Sequence, residues 1–203
     1  MRWTVVIPAK ALPEAKSRLL AASPDGAAHR RLVEAIRADT LSAARATPDV
    51  ARILVVTDRT GEPGALVQIE PGLNAALREA FDHAARTWPD DGIAALVGDL
   101  PALRSDELRA ALSAAATHPR SFVPDAPGTG TTLLAVTPGT TLDPQFGTGS
   151  AARHAAAAAR IDAGPSVRHD VDTAEDLREA AILGLGPATA AVLGQSDVAL
   201  RSP

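Results

Sequence analysis

Short β-branched runs alternate with longer stretches of helical periodicity along almost the whole chain. Thr4-Val5-Val6-Ile7, stopped by Pro8, and Ile53-Leu54-Val55-Val56-Thr57, ended by Asp58, read as buried strands. Between them, from about Ala28 to Arg45, Leu32, Val33, Ile36 and Ala44 recur at helical spacing, with Arg30, Arg31, Glu34 and Arg37 on the other face. A shorter strand is predicted at Leu66 to Ile69. Leu73, Leu77, Phe81, Ala84 and Trp88 then mark a second amphipathic helix, closed by Pro89 and Gly92. Ile93 to Val97 is the clearest central strand and runs straight into Gly98-Asp99-Leu100-Pro101. Ser105 is placed to cap the next helix, with Asp106 and Glu107 in a first turn whose dipole favours acids.

Phe122-Val123 and Thr131 to Val136 read as strands around a Gly-rich turn. An Ala-rich helix is expected from Ser150, taking in Ala155 to Ala159. Ser166 to Val171 reads as a last strand, and Thr173-Ala174-Glu175-Asp176 opens a last main helix. This alternation predicts an α/β fold with a mainly parallel central sheet and flanking helices. It also predicts one domain over residues 1–195, with 196–203 a flexible tail. No internal repeat is present.

Composition narrows the function classes. The chain has 203 residues, 46% of them hydrophobic, enough for one sizeable core; a domain of that size removes roughly 70% of the unfolded chain's surface from water. With 20 basic and 24 acidic residues the net charge is −4, so no sequence-wide basic field for nucleic acid exists. Only 2% of residues are aromatic, which argues against base-stacking platforms. The absence of Cys excludes disulfides, thiolate metal sites and Cys nucleophiles together. No stretch approaches the ~20 apolar residues needed to cross a bilayer. The apolar start, Trp3 to Ile7, is too short for a secretion signal. A cytoplasmic protein without nucleic-acid or membrane partners is expected.

In open α/β sheets ligands bind beyond the carboxyl ends of the strands. The residues there are Pro8-Ala9-Lys10, Asp58, Gly98-Asp99, Pro124-Asp125 and Asp170-Val171-Asp172. Acids and a lysine thus converge on one sheet edge, suited to a metal ion and an anionic ligand together. Lys10, Lys16 and Arg18 supply three cations for a polyphosphate, with a solvated basic surface as the alternative. Asp99, in a Gly-Asp-Leu-Pro turn, is placed to bind a divalent cation, against the alternative of a turn-forming Asp. Asp172 is either a second metal ligand or the cap of the following helix; Asp170, two residues away on the same strand face, is its competitor.

Gly128-Thr129-Gly130-Thr131-Thr132 and Phe146-Gly147-Thr148-Gly149-Ser150 are two small-residue loops; either alone reads as a hairpin or an ordinary helix cap, and the two together, beside charged strand ends, read as backbone a ligand can approach. The second leads into a helix whose first N–H groups form an anion site. Gly72-Leu73-Asn74, also before a helix, is placed to contact a sugar or base edge. The five histidines form no cluster or triad and read as surface or satisfied interior residues. No Walker A pattern occurs.

These segments resemble the CofC/FbiD family of phospho-acid guanylyltransferases of coenzyme F-420 biosynthesis. The resemblance is carried by Val-Val-Ile-Pro-Ala-Lys with Ala-Lys-Ser-Arg-Leu, Gly-Leu-Asn-Ala-Ala-Leu at 72–77 and Val-Gly-Asp-Leu-Pro at 97–101. Gly-Thr-Gly-Thr-Thr-Leu-Leu at 128–134, Phe-Gly-Thr-Gly-Ser-Ala-Ala-Arg-His at 146–154 and Asp-Val-Asp-Thr-Ala-Glu-Asp-Leu at 170–177 complete it. Ala126-Pro127, before Gly128, departs from the family pattern.

The resemblance implies a single-domain, Rossmann-related nucleotidyltransferase fold of the glycosyltransferase-A-like type. It implies GTP as co-substrate, Mg²⁺, and a phosphorylated three-carbon acid, phosphoenolpyruvate or 2-phospho-L-lactate, as acceptor. The Ala-, Arg-, Gly- and Pro-rich composition is of the high-GC actinobacterial kind, which within the family favours phosphoenolpyruvate. Matched residue by residue, Thr132, Gly147 and Ser150 meet the phospho-acid, and Asp99 and Asp172 hold the metal. Lys10, Lys16 and Arg18 line the triphosphate loop, and Asn74 lies near the nucleoside. Catalysis is expected to fall on Asp99, Asp172 and Lys10. The alternatives are another nucleotidyltransferase of this fold, of molybdenum-cofactor or sugar-phosphate type, or a non-catalytic nucleotide-binding module. Homo-oligomerisation and hand-over of product to the downstream deazaflavin transferase stay open.

Overall fold

Runs that are apolar on both faces belong between two layers of helices, and that is where the longest of them lie. The computed structural model describes residues 1–9, 19, 26–58, 65–141 and 143–201, with side chains to 194. Seven strands form one sheet: β1 (Trp3–Ala9), β2 (Val50–Thr57), β3 (Leu66–Val67), β4 (Gly92–Leu96), β5 (Arg120–Pro124), β6 (Thr131–Val136) and β7 (Ala159–Arg160). Their order is β3-β2-β1-β4-β6-β5-β7, and β6 alone runs antiparallel to its neighbours. The helices are α1 (Gly26–Ala46), α2 (Leu73–Thr87), α3 (Ser105–Ala115), α4 (Ser150–Ala155), α5 (Pro165–Arg168), α6 (Ala174–Leu183) and α7 (Pro187–Arg201).

Alternation along the central strands sorts the core into two layers. Trp3, Val5, Ile7, Leu96, Leu133 and Ala135 face α3 through Leu108 and Leu112. Val6, Leu54, Ile93, Leu134 and Val136 face α2 through Leu77, Ala80 and Phe81. A third cluster joins Leu32 and Ile36 of α1 to Leu177 and Ala180 of α6. Chain order reverses between β1 and β4, the kind of switch point beyond whose carboxyl ends open α/β sheets bind ligands. Gly98 lies there against β1: a Cβ on it would stand 3.1 Å from the Pro8 carbonyl oxygen.

Three local expectations fail, each for a tertiary reason. Ser105 is the first residue of α3 rather than its cap. Arg104 occupies the cap position and its N–H donates to Ser166 Oγ at 3.1 Å. Ser166 to Val171 is not a strand: Pro165 starts the short helix α5, and the Glu107 carboxylate accepts from Ser166 N and Oγ, each at 2.9 Å. Asp170 and Asp172 therefore share no strand face. The Ala-rich helix stops at Ala155, because Ala159 and Arg160 pair with Ser121 and Phe122 as an edge strand. The chain also stays helical past residue 195, to Arg201. Asp39 of α1, almost wholly buried, caps that helix across the fold: its carboxylate accepts from Ala188 N at 3.0 Å and Thr189 N at 2.7 Å.

Candidate active site

The turn carrying Asp99 is tied down on every side. Val97 N–H donates to the Thr132 carbonyl at 3.0 Å, and Val171 N–H donates to the Asp99 carbonyl at 3.0 Å. Leu100 N–H donates to Thr40 Oγ1 at 3.0 Å, whose own proton goes to the Ile36 carbonyl at 3.0 Å. Gly186 N–H donates to the Pro101 carbonyl at 2.8 Å. Segments distant in sequence thus fix the backbone that carries the half-buried Asp99 side chain.

The Val171–Asp99 bond brings the exposed Asp172 beside that turn. Asp172 is not the helix cap. Thr173 is, in a capping box with Asp176. The Asp176 carboxylate accepts from Asp172 N (3.0 Å), Thr173 N (2.7 Å) and Thr173 Oγ1 (2.9 Å), fixing the backbone that presents Asp172. Burial pushes the Asp176 pKa up, but these hydrogen bonds outweigh it and hold the group below its ordinary value.

The two Gly/Thr loops meet on the other side of β6. Asp125 closes the first, accepting from Thr129 N at 2.8 Å and Gly130 N at 2.7 Å, so this strand-end acid serves the turn. Arg168 braces the same loop by donating to the carbonyls of Pro124, Asp125 and Ala126. The register between β5 and β6 shifts here, pairing Val123 with Leu133 but Pro124 with Thr131. Simple alternation would turn Thr131 to the face of Leu133 and Ala135. The bulge re-aims it to the opposite layer, where its hydroxyl lies 2.8 Å from His154 Nδ1 and 3.2 Å from Ser150 Oγ. Thr132 is wholly buried, and its hydroxyl has no hydrogen-bond partner among the described residues.

The second loop, 145–150, needs left-handed backbone at Gly147 (φ 117°) and Gly149 (φ 72°). Arg153 braces it through the carbonyls of Gln145 and Thr148. Asn74 ties it to the start of α2: its side chain accepts from Phe146 N at 2.7 Å and donates to the Phe146 carbonyl at 3.1 Å. The amide expected near the nucleoside is thus engaged with this loop. The expected anion site at the helix start needs revision too. Ser150 N–H already donates to the Gly147 carbonyl and Ala151 N–H to the Thr129 carbonyl, so an anion here would be met by the Gly147–Gly149 backbone and by side-chain hydroxyls.

Asp99, Asp172, Thr132, Gly147 and Ser150 are therefore linked by a continuous set of contacts around the ends of β4 and β6. Lys10, Lys16 and Arg18 lie outside the described residues; Lys10 directly follows Ala9 at the end of β1. Asp58 is exposed at the end of β2. Among the described residues no group of three or more acids and histidines could hold a metal. Two carboxylates still suit Mg²⁺, which completes its shell with water and substrate phosphates.

Sequence reasoning passed over Thr131 and His154. Burial pushes the His154 pKa down to about 4, with the nearby Arg153 charge adding to the effect, so the ring is neutral at pH 7. The signal was present in the spacing: Ser150 and His154, four apart, share one face of a helix.

Known proteins share this chain's sequence and its fold. The family described as "Guanylyl transferase CofC like" matches residues 3–199. A Phosphoenolpyruvate guanylyltransferase of Salinispora arenicola is 53% identical over 95% of this chain and 94% of its own. One of Geodermatophilus obscurus is 51% identical, with the same coverage of both chains. Among solved structures, a Desulfovibrio desulfuricans G20 protein provisionally assigned as a nucleotide-diphospho-sugar transferase superposes with a TM-score of 0.72 at 15% identity. That match covers 99% of this chain and 98% of the other, a likeness of fold.

Proposed function

The chain belongs to the CofC guanylyl transferase family, and from that premise we propose that it transfers GMP from GTP to the phosphate of phosphoenolpyruvate, releasing pyrophosphate, in coenzyme F-420 biosynthesis. The observation that carries the acceptor's identity is the activity named for relatives about half identical over nearly the full chain. An oxygen of the phosphoenolpyruvate phosphate forms a bond to the α-phosphorus of GTP while the bond to the β-phosphate oxygen breaks. A phosphate monoester is largely ionised near pH 7, its second pKa being ~6, so no general base is required. That chemistry fits a site whose buried histidine is neutral and engaged at both nitrogens.

The demand on the protein is to hold two anions together in line. Thr132, Gly147 and Ser150 receive the phospho-acid, and Lys10, Lys16 and Arg18 receive the triphosphate, with Lys10 opposing charge on the leaving pyrophosphate. Asn74 contributes to the nucleotide side by fixing the start of α2 against the 145–150 loop. Asp99 and Asp172 would hold Mg²⁺, which supplies charge neutralisation at the phosphates. A cytoplasmic location follows from where GTP and phosphoenolpyruvate are made and used. The diphosphate product carries the group that a downstream deazaflavin transferase would take up, so hand-over to that enzyme belongs to this reading.

Pyrophosphate release with GTP and Mg²⁺ tests this, with phosphoenolpyruvate and 2-phospho-L-lactate in parallel and the downstream transferase with its deazaflavin acceptor present. A higher kcat/KM for phosphoenolpyruvate is expected. Preference for 2-phospho-L-lactate would change the acceptor, and silence with both would remove the activity.

A further inference from the structure

Two of the hydrogen bonds behind Ser150, those of His154, have a direction that the geometry fixes. The Gln145 N–H, which can only donate, meets His154 Nε2 at 3.0 Å, so that nitrogen carries the lone pair. A neutral ring then bears its proton on Nδ1 and donates it to Thr131 Oγ1 at 2.8 Å. Ser150 Oγ donates to the same oxygen at 3.2 Å. Both lone pairs of Thr131 are thereby filled, and its own proton is left to give. Two aromatic neighbours hold the ring in this orientation. It lies edge-on to Phe146, centroids 5.2 Å apart, and tilted against Phe122 at 6.1 Å.

We propose that His154 is a positioning residue of the acceptor pocket: by donating to Thr131 it sets a one-way row of hydrogen bonds that presents the Ser150 hydroxyl to the acceptor anion as a donor. This rests on the reading of Ser150 as a contact of the phospho-acid. When an anionic oxygen takes the Ser150 proton, the Ser150 oxygen turns a lone pair toward Thr131, which rotates its proton into the gap. The row then runs Gln145 N–H to His154, His154 to Thr131, Thr131 to Ser150, Ser150 to the anion. The opposite tautomer would make Nδ1 an acceptor, claim the Thr131 proton and leave Ser150 without a donor behind it. Because Ser150 N–H and Ala151 N–H are already bonded, the Ser150 contact to an anion falls to its hydroxyl, which this row orders.

Two measurements on the full chain test this. Long-range ¹H–¹⁵N spectra of the histidine-labelled protein, with the His154 signals assigned by their loss in His154→Asn, report the tautomer directly. The Nδ1–H form is expected, and the Nε2–H form would overturn the proposal. Steady-state kinetics with GTP and phosphoenolpyruvate supply the second readout. His154→Leu and Thr131→Val should each raise KM for phosphoenolpyruvate ~10-fold or more, the scale of one hydrogen bond to a charged group, and leave KM for GTP unchanged. His154→Asn, which keeps an N–H near the Nδ1 position, should recover most of that loss. Thr131→Val carries the test if His154→Leu does not fold. Unchanged KM for phosphoenolpyruvate, or equal rises for both substrates, would overturn the proposal. A wild-type protein inert toward phosphoenolpyruvate would sink the proposed function alone, and the tautomer would still decide the direction of the row.

Discussion

Thr40→Val isolates the preorganisation of the Asp99 turn. Valine keeps the shape of threonine and removes the oxygen that accepts the Leu100 N–H. Both residues are wholly buried, so water cannot replace that oxygen. A buried donor left without its acceptor costs about 1–3 kcal/mol, and the stability loss should fall in that range. The hydroxyl's other bond, to the Ile36 carbonyl, is supplementary to the helix and adds little. If the turn relaxes by even ~1 Å, Asp99 leaves its place and turnover should fall on the order of 100-fold. Urea unfolding gives the first quantity; pyrophosphate release at saturating GTP, Mg²⁺ and phosphoenolpyruvate gives the second. Thr40→Ser keeps the oxygen and should restore both. Wild-type stability and turnover in Thr40→Val would refute the idea that this bond fixes the turn. Lost stability with intact turnover would show that the Val171 and Gly186 N–H groups fix it instead.

Asp99→Asn should cut turnover at least ~100-fold, the scale for losing a key electrostatic stabiliser, and near-parental turnover at saturating Mg²⁺ would remove Asp99 from the metal site. Ser150→Ala should weaken phosphoenolpyruvate and spare GTP; isothermal titration showing the reverse would mean the two pockets are exchanged. Protein stability should also record the burial of His154. Its pKa falls from 6.5 to about 4 on folding, so between those values the unfolded chain binds the extra proton. Stability from this group is complete above that window and is lost as pH falls through it, by at most about 3 kcal/mol. Thermal unfolding of His154→Asn should show a shallower slope between pH 6.5 and pH 4, and an identical slope would contradict the burial of a neutral ring.

Elements buried on both faces were the legible ones. The runs at Val5–Ile7, Leu54–Val56 and Ile93–Leu96 have no polar face to confuse the period, and they became the centre of the sheet. Thr173 to Asp176 announced its helix through a local capping box, visible in four residues. What failed was decided by partners far along the chain. Ser166 to Val171 has a strand-like alternation, yet Glu107, 59 residues earlier, captures Ser166 and completes a helical turn. The site shows the same division. Asp99 was legible because a turn directly after a buried strand must sit at the sheet edge. The approach of Asp172 depends on the Val171 hydrogen bond, and the reach of Thr131 to His154 depends on a bulge that no local pattern encodes.

The cap that Asp39 lends to α7 joins residues 149 and 150 positions apart. During synthesis α1 leaves the ribosome long before its partner, and its carboxylate must stay in water until residues 188 and 189 arrive. Burying that charge earlier would be costly, so this side of the molecule closes late. Gly186, two residues before Ala188, also donates to Pro101 beside the Asp99 turn. The event that seals the fold and the event that finishes the site therefore coincide. A nascent chain that has not reached this point already has all seven strands and the Thr40, Thr132 and Val171 ties, and lacks only the last one, from Gly186 to Pro101.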